Sequence, residues 1–170
     1  MASPNPLLLS PLYQPVQSGA FMSAGEYCNR EVIIVEQTVS VTEAAELMRH
    51  HHVGDLVVVE KQGAPSRPLG IITDRDIVIE VVAQKIDPDS LTVKDIMSAD
   101  PVSVAESTSL LDTLETMKQR GVRRVLVVAD NGSLQGLLSA DDAIELIAEQ
   151  VDDLTQLVNR EVKQEQKQHP

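Results

Sequence analysis

The chain of 170 residues is 42% apolar and has no apolar run near the roughly 20 residues that cross a bilayer, so we expect a soluble cytoplasmic protein. Its formal net charge of −12 repels the phosphate backbone of nucleic acids, which we therefore do not expect as partners, and we expect no membrane partner either. The single cysteine, Cys28, excludes an intramolecular disulfide and a cysteine-based zinc site.

The first 21 residues carry no charge and four of the nine prolines, a composition that predicts a flexible N-terminal arm. Met22 is an alternative start of the functional chain. All three aromatic residues, Tyr13, Phe21 and Tyr27, lie in this arm or close to it. A base bound by the rest of the chain would therefore be held by aliphatic side chains and backbone groups.

The remainder of the chain contains two copies of one pattern. Residues 24–59 align with residues 93–128 at a constant offset of 69 positions, and seven positions between Val32 and Val59 are identical. The turn that follows is three residues shorter in the second copy, and after it GIITDRD at 70–76 corresponds to GLLSADD at 136–142. The chain is therefore built from an internal repeat.

Each copy predicts the same elements. In the first copy a short extended lead, VIIV, precedes a helix whose apolar residues recur at spacings of three and four between Val41 and Met48. The runs LVVV and LGII then predict two strands joined by a turn, and a second helix begins after Thr73. The sequence thus predicts an α/β (α+β) fold of two repeats, each with a lead, a helix, two strands and a helix.

Thr73 and Ser139 end the second predicted strand of each copy, and Asp76 and Asp142 follow three residues later. Such residues cap helices and place a carboxylate in the first turn, where the helix dipole favours negative charge. The same groups can also bind a ligand, because N–H groups beside a hydroxyl bind phosphate and a carboxylate accepts hydrogen bonds from ribose hydroxyls. The two interpretations are compatible, and the residues alone leave both open.

Three segments carry a resemblance to a known family, namely VGDLVVVE…PLGIITDRDIV in the first copy and VKDIM…PVSV and VRRVLVVADNGSLQGLLSADDAI in the second. Over residues 24 to 150 they resemble the tandem CBS-domain (Bateman module) family. The resemblance implies two CBS-type repeats packed as a pseudo-two-fold module. The expected boundaries are an arm at 1–21, repeat 1 at 22–84, a linker at 85–90, repeat 2 at 91–150 and a helical extension at 151–170.

The resemblance also implies a ligand, an adenosine-containing compound such as AMP, ADP or ATP that binds between the repeats with or without a divalent cation. It implies no other cofactor and a regulatory protein rather than an enzyme. In agreement, the sequence offers no nucleophile with a plausible base and orienting group. The candidate ligand-binding residues are Ile33, Val57, Thr73, Arg75, Asp76, Arg123, Arg124, Ser139 and Asp142.

The charges beside the two candidate pockets differ. Arg75 in the first copy corresponds to Asp141 in the second, so we expect a ligand phosphate to prefer the first pocket. The dipeptide Arg123–Arg124 replaces Gly54–Asp55 of the first copy. These arginines either face solvent or reach a pocket, and reaching the second pocket would reverse the expected preference.

Other features have simpler explanations than a second activity. The run His50–His52 resembles a metal tract, but consecutive residues at a helix end point in different directions, which favours a solvated helix end. Cys28 aligns with Met97, which predicts a packed residue rather than a reactive thiol. Apolar residues between Val151 and Val162 predict a stripe on an extended last helix, which the same helix of a second subunit would cover.

We therefore expect a stand-alone regulatory module that binds an adenosine compound, forms a homodimer and transmits the ligand state to an unidentified partner protein. One alternative is a ligand-free dimerisation scaffold in which the hydroxyl and carboxylate pairs only cap helices. Another is a redox or metal switch that uses Cys28 and the histidines. The identity of the ligand, the number of occupied sites and the orientation of the two subunits remain open.

Overall fold

The computed structural model describes residues 22–61 and 66–168 of the chain. The predicted arm at residues 1–21 lies outside the described residues. Within them both copies of the repeat contain the predicted strands and helices, so the mixed α/β fold is confirmed. No helix in the described ranges combines the length and the hydropathy that a membrane span requires.

The first copy runs in the order α1 (Ala24–Tyr27), β1 (Ile34–Glu36), α2 (Val41–His51), β2 (Asp55–Val59), β3 (Pro68–Thr73) and α3 (Asp74–Ile77). A π-helical turn (Val78–Val82) continues α3, and a 3₁₀ turn (Pro88–Ser90) leads to the second copy. The second copy contains α4 (Val93–Ile96), β4 (Ser98–Ala99), β5 (Ser103–Ala105), α5 (Leu110–Arg120), β6 (Arg124–Val128), β7 (Leu134–Ser139) and α6 (Ala140–Gln168).

The described strands form two sheets, with the orders β1-β2-β3-β4 and β5-β6-β7. In each sheet a parallel pair is followed by an antiparallel hairpin, and α2 or α5 provides the crossover that parallel neighbours need. The pairing places Asp55 opposite Thr73 and Arg124 opposite Ser139. Both hydroxyl residues therefore lie at strand ends, where α3 and α6 begin.

Capping residues delimit α2 and α5. Ser40 Oγ and Ser109 Oγ each accept a hydrogen bond at 3.1 Å from the backbone N–H three residues later. The two helices are closed by left-handed residues, His52 with a φ of 55° and Gly121 with a φ of 65°. These caps explain why both helices have the same length in the two copies.

The leading segment of each copy packs against the other copy. Ala24 N donates to Thr108 O at 2.8 Å, and Asn29 forms an antiparallel bridge with Leu137 of β7. In return β4, in the leading segment of the second copy, pairs with β3 of the first. The two copies are therefore interleaved, a feature that the alignment of the repeats did not predict.

Glycines make this exchange possible. A Cβ at Gly136 would lie 2.5 Å from Cys28 Sγ and 2.7 Å from Asn29 O, and a Cβ at Gly70 would lie 2.8 Å from Ser98 O. Cβ atoms do not approach other atoms this closely, so each strand needs glycine where the segment from the other copy crosses it. This contact explains the glycine that begins both GIITDRD and GLLSADD.

A cluster of buried side chains joins the two copies. Each repeat has a core that includes side chains from the leading segment of the other copy. Between the two cores, Val57 and Val59 of β2 pack with Leu126 of β6 and Leu137 of β7. All four are at least nine-tenths buried. Because apolar burial is the main driving force of folding, this cluster binds the two repeats into one module.

The last helices of the two copies differ in length. The first ends at Ala83, the C-cap of the π-helical turn, whereas α6 continues to Gln168. The predicted extension of the last helix is thus confirmed. Val162, part of the predicted apolar stripe, has a side chain that lies outside the described part of the structure.

Candidate functional site

The first hydroxyl and carboxylate pair caps α3. Asp76 N donates to Thr73 Oγ1 at 3.2 Å, while Thr73 N and Thr73 Oγ1 donate to Asp76 Oδ2 at 2.8 and 2.7 Å. This reciprocal arrangement is a capping box. It uses Oδ2, and among the described residues no group donates to Oδ1, so one carboxylate oxygen is available to a ligand.

The second pair repeats this geometry at the start of α6. Asp142 N donates to Ser139 Oγ at 3.1 Å, and Ser139 N and Ser139 Oγ donate to Asp142 Oδ2 at 2.9 and 2.6 Å. The capping interpretation is therefore confirmed for both copies. It does not oppose ligand binding, because each carboxylate keeps its second oxygen for another donor.

An ion pair between the copies lies between the two capping boxes. Arg124 Nε is 2.9 Å from Asp55 Oδ2, and the side chains are only 37% and 17% exposed. The two residues are 69 positions apart and are therefore equivalent in the repeat. Since Asp55 is opposite Thr73 and Arg124 is opposite Ser139, the ion pair brings both boxes to one edge of the module.

The pKa of Asp55 reports the charges at this edge. Burial raises the pKa of the Asp55 carboxyl, Arg124 opposes that change, and the nearby carboxylates of Asp74 and Asp142 raise the pKa further. One of these carboxylates belongs to each copy. The edge is thus rich in carboxylates, and an anionic ligand would need the arginines to offset their repulsion.

The other two candidate arginines, Arg75 and Arg123, are exposed. Arg123 Nη2 is 3.0 Å from Asp141 Oδ1, in an exposed pair that compensates the charge of Asp141 beside the second box. Arg75 is exposed and lines a shallow pocket with Asp74. The surroundings of the two boxes therefore differ less in charge than the presence of Asp141 in place of Arg75 indicates.

The predicted behaviour of one of the two adjacent arginines needs correction. We expected both to face solvent or to reach a pocket; Arg123 is exposed, but Arg124 is bound to Asp55 of the other copy. The ion pair is the feature of the candidate site that sequence analysis missed. A signal was present, since opposite charges occupy equivalent positions of a repeat and such positions meet near a pseudo-two-fold axis.

The two apolar candidates have different accessibility. Ile33 is half-buried, and its carbonyl accepts a hydrogen bond from Val57 N at 3.0 Å. Val57 has no exposed surface and belongs to the cluster between the repeats. Core neighbours therefore cover the Val57 side chain in this structure, and the role of Val57 in ligand binding stays a prediction.

The three consecutive histidines and the single cysteine are the candidates for the redox or metal alternative. His50, His51 and His52 are exposed at the end of α2, where the first two rings are in edge-to-face contact. Cys28 is buried, as predicted, its Sγ lies 3.6 Å from Gly25 O, and burial raises the pKa of its thiol. Among the described residues no group of three or more His, Cys, Asp or Glu side chains could hold a metal ion.

Comparison with known proteins identifies the repeat. The CBS domain family matches residues 24–83 and 93–149, which are the two copies found in the sequence. The chain belongs to the CBS domain family. The resemblance and the pseudo-two-fold pair of CBS repeats are thus confirmed, and the exchanged leading segments and the edge described above are features of this CBS pair.

Relatives of this CBS pair include an uncharacterized protein of Methanopyrus kandleri, 37% identical over 125 residues, which are 74% of this chain and 62% of that protein. The match thus spans less than two-thirds of that relative. A CBS domain protein from Pyrobaculum aerophilum complexed with AMP has a TM-score of 0.64 at 28% identity, covering 71% of this chain and 89% of the other. Hypoxic Response Protein I, with two coordinated zinc ions, has a TM-score of 0.62 at 31% identity, and the match covers 73% of this chain and 98% of the other.

Proposed function

We propose that this chain is a regulatory CBS module that binds an adenosine-containing ligand, AMP, ADP, ATP or a related compound, at the edge where α3 and α6 begin. The module acts as a homodimer and transmits the ligand state to a partner protein. Catalysis is not part of this role. The Pyrobaculum protein, which shares this fold and is complexed with AMP, supports the class of ligand.

The observation that carries the proposal is the position of the two capping boxes on either side of the Asp55–Arg124 ion pair. Asp76 and Asp142 each keep one carboxylate oxygen that can accept hydrogen bonds from vicinal ribose hydroxyls. Arg75 directly precedes Asp76, and Arg123 pairs with Asp141, which directly precedes Asp142; both arginines are exposed and can bind phosphate oxygens. The half-buried side chain of Ile33, directly before β1, can contact an adenine base.

The same geometry gives a route by which a ligand could change the module. Asp55 and Arg124 hold the two repeats together at this edge, and a phosphate within reach of Arg124 would compete with Asp55 for the guanidinium. Loss of that partner would leave a half-buried carboxylate among Asp74 and Asp142. Ligand binding would therefore change the contact between the repeats, which a partner protein could detect.

Titration calorimetry with AMP, ATP and S-adenosylmethionine tests the proposal on Asp76→Asn and Asp142→Asn. Each substitution weakens a charge-assisted hydrogen bond to ribose, so the affinity should fall by about 1.5 to 3 kcal/mol, or roughly ten- to a hundredfold. We expect the larger loss with Asp76→Asn, since the exposed Arg75 directly precedes Asp76 in the chain.

Asp95→Asn is the matched control. Asp95 forms the same capping box with Thr92, at 2.8 and 2.7 Å, but on α4, which docks near the start of α2 rather than at the candidate edge. This variant should lose a cap and keep the affinity. If neither site variant changes the affinity for a compound that binds the wild-type chain, or if none of the compounds binds, the boxes only cap helices and the scaffold alternative is correct.

A further inference from the structure

The exposed surface of α6 carries a heptad pattern of apolar residues. Ile144, Ile147, Val151, Leu154 and Val158 follow one another at alternating spacings of three and four, and each is between 45% and 64% exposed. We call these five residues the α6 seam. A separate stripe on α6, which includes the buried Ala143, packs on the core of the second repeat, so the seam is additional to the face that holds α6 in place.

The residues around the seam identify what can cover it. Ala148, Gln150 and Thr155 flank the seam and carry no charge, whereas the acidic residues of this part of α6 lie on the opposite face, at Glu145, Glu149, Asp152 and Asp153. Over residues 144–158, pairing of two identical seams therefore brings no like charges together. A basic partner would instead be attracted to the acidic face, away from the apolar residues.

From this pattern we infer that α6 pairs with α6 of a second copy as a parallel two-stranded coiled coil. Every second seam residue is β-branched, namely Ile144, Val151 and Val158, and Leu154 occupies the alternate position. In parallel coiled coils, β-branched residues at the first heptad position with leucine at the fourth favour two strands, and here the fourth positions hold Ile147 and Leu154. A groove of about 460 Å³ between α5 and α6, lined by Met22, Leu110 and Leu111 as well as three seam residues, continues the apolar surface.

The pairing determines the arrangement of the dimer. Two parallel α6 helices place the second repeats of both copies beside each other, so that a head-to-tail dimer, in which the second repeat meets the first repeat of the partner, does not form. The difference in helix length supports this arrangement, because the corresponding helix of the first repeat ends at Ala83 and offers no equal partner for the extension of α6. The inference rests on the homodimer of the proposed function but not on the ligand.

Disulfide cross-linking tests the inference on the full-length chain. In a parallel pair each seam residue meets its own copy, so Leu154→Cys and Ile147→Cys should give covalent dimers under mild oxidation. Glu149→Cys, on the acidic face, is the control and should remain uncross-linked, as should the wild-type chain, whose Cys28 is buried. Leu154→Glu should shift the mass in light scattering from dimer to monomer with unchanged circular dichroism.

Each contrary result has a separate meaning. A dimer mass for the wild-type chain without cross-linking at Leu154 or Ile147 overturns the α6 pairing and leaves the homodimer in place, whereas a monomer mass overturns both. If a chain that starts at Met22 gains a cross-link that the full-length chain lacks, residues 1–21 cover the seam and the inference is wrong. Nucleotide titrations do not enter these outcomes, so a failure of the ligand proposal is recognised independently.

Discussion

The close contact between Gly136 and the leading segment of the first copy gives a quantitative test of the interleaved fold. Alanine at this position would place a Cβ 2.5 Å from Cys28 Sγ and 2.7 Å from Asn29 O. That carbonyl is held in place, because Asn29 and Leu137 exchange two backbone hydrogen bonds of 2.9 Å. The clash can therefore be relieved only by moving a bridged segment.

The magnitude follows from three contributions. Overpacking costs about 1 to 3 kcal/mol, and weakening of the backbone bridge adds about 1 kcal/mol. Replacement of glycine by alanine lowers the conformational entropy of the unfolded chain, which stabilises the folded protein by about 0.4 to 1 kcal/mol and offsets part of this loss. We expect Gly136→Ala to lower the free energy of unfolding by about 2 kcal/mol, which corresponds to a fall in Tm of roughly 4 to 8 °C for a chain of this size.

Urea denaturation of Gly136→Ala and Gly54→Ala provides the measurement and its control. A Cβ at Gly54 would meet its nearest atom, Asp74 Oδ2, at an ordinary 3.5 Å, so this variant should stay within about 0.5 kcal/mol of the wild-type chain. Equal stability of the two variants would refute the crossing of the leading segment over β7. A loss confined to Gly136→Ala supports the crossing.

Two further predictions concern groups whose pKa is shifted by burial. The pKa of Asp55 is raised above 3.8, so the contribution of its protonated form to stability is present below that pH and is lost as the pH rises through the higher folded-state pKa. The free energy of unfolding of Asp55→Asn minus that of the wild-type chain should therefore increase as the pH rises above 3.8. A difference that does not vary with pH in denaturant titrations would contradict this. Burial also raises the pKa of the Cys28 thiol, so an aromatic disulfide reagent should react with it only on unfolding, and Cys28→Ala should cost about 1 to 2 kcal/mol; rapid reaction in the folded protein would restore the redox alternative.

Most of the elements could be predicted because their signals are local. The helix from Val41 to His51 shows its apolar residues at helical spacing and has Ser40 at its N-cap, and the strands are β-branched runs of ordinary length. Capping by Thr73 and Ser139 was also predictable, since the hydrogen bonds join residues three positions apart. Each of these features depends on residues within one helix or one hairpin.

The interleaving could not be predicted from the alignment of the repeats. A leading segment buries the same kinds of residues whether it packs on its own copy or on the other, because the two copies are alike in pattern. The only local signs were Gly70 and Gly136, which have no obvious role in an isolated hairpin. Their meaning requires knowledge of which backbone lies across the strand.

The Asp55–Arg124 ion pair shows why divergence between the copies carries functional information. Residues near a pseudo-two-fold axis meet their own equivalents, so two aspartates or two arginines at this position would place like charges together. The observed pair has opposite charges and joins the repeats at 2.9 Å. Because the copies differ at Asp55 and Arg124, these positions attract rather than repel each other and hold the repeats together. The contact lies between the two carboxylates that we propose to bind ribose. A ligand at this edge meets a charge arrangement that neither repeat could produce alone.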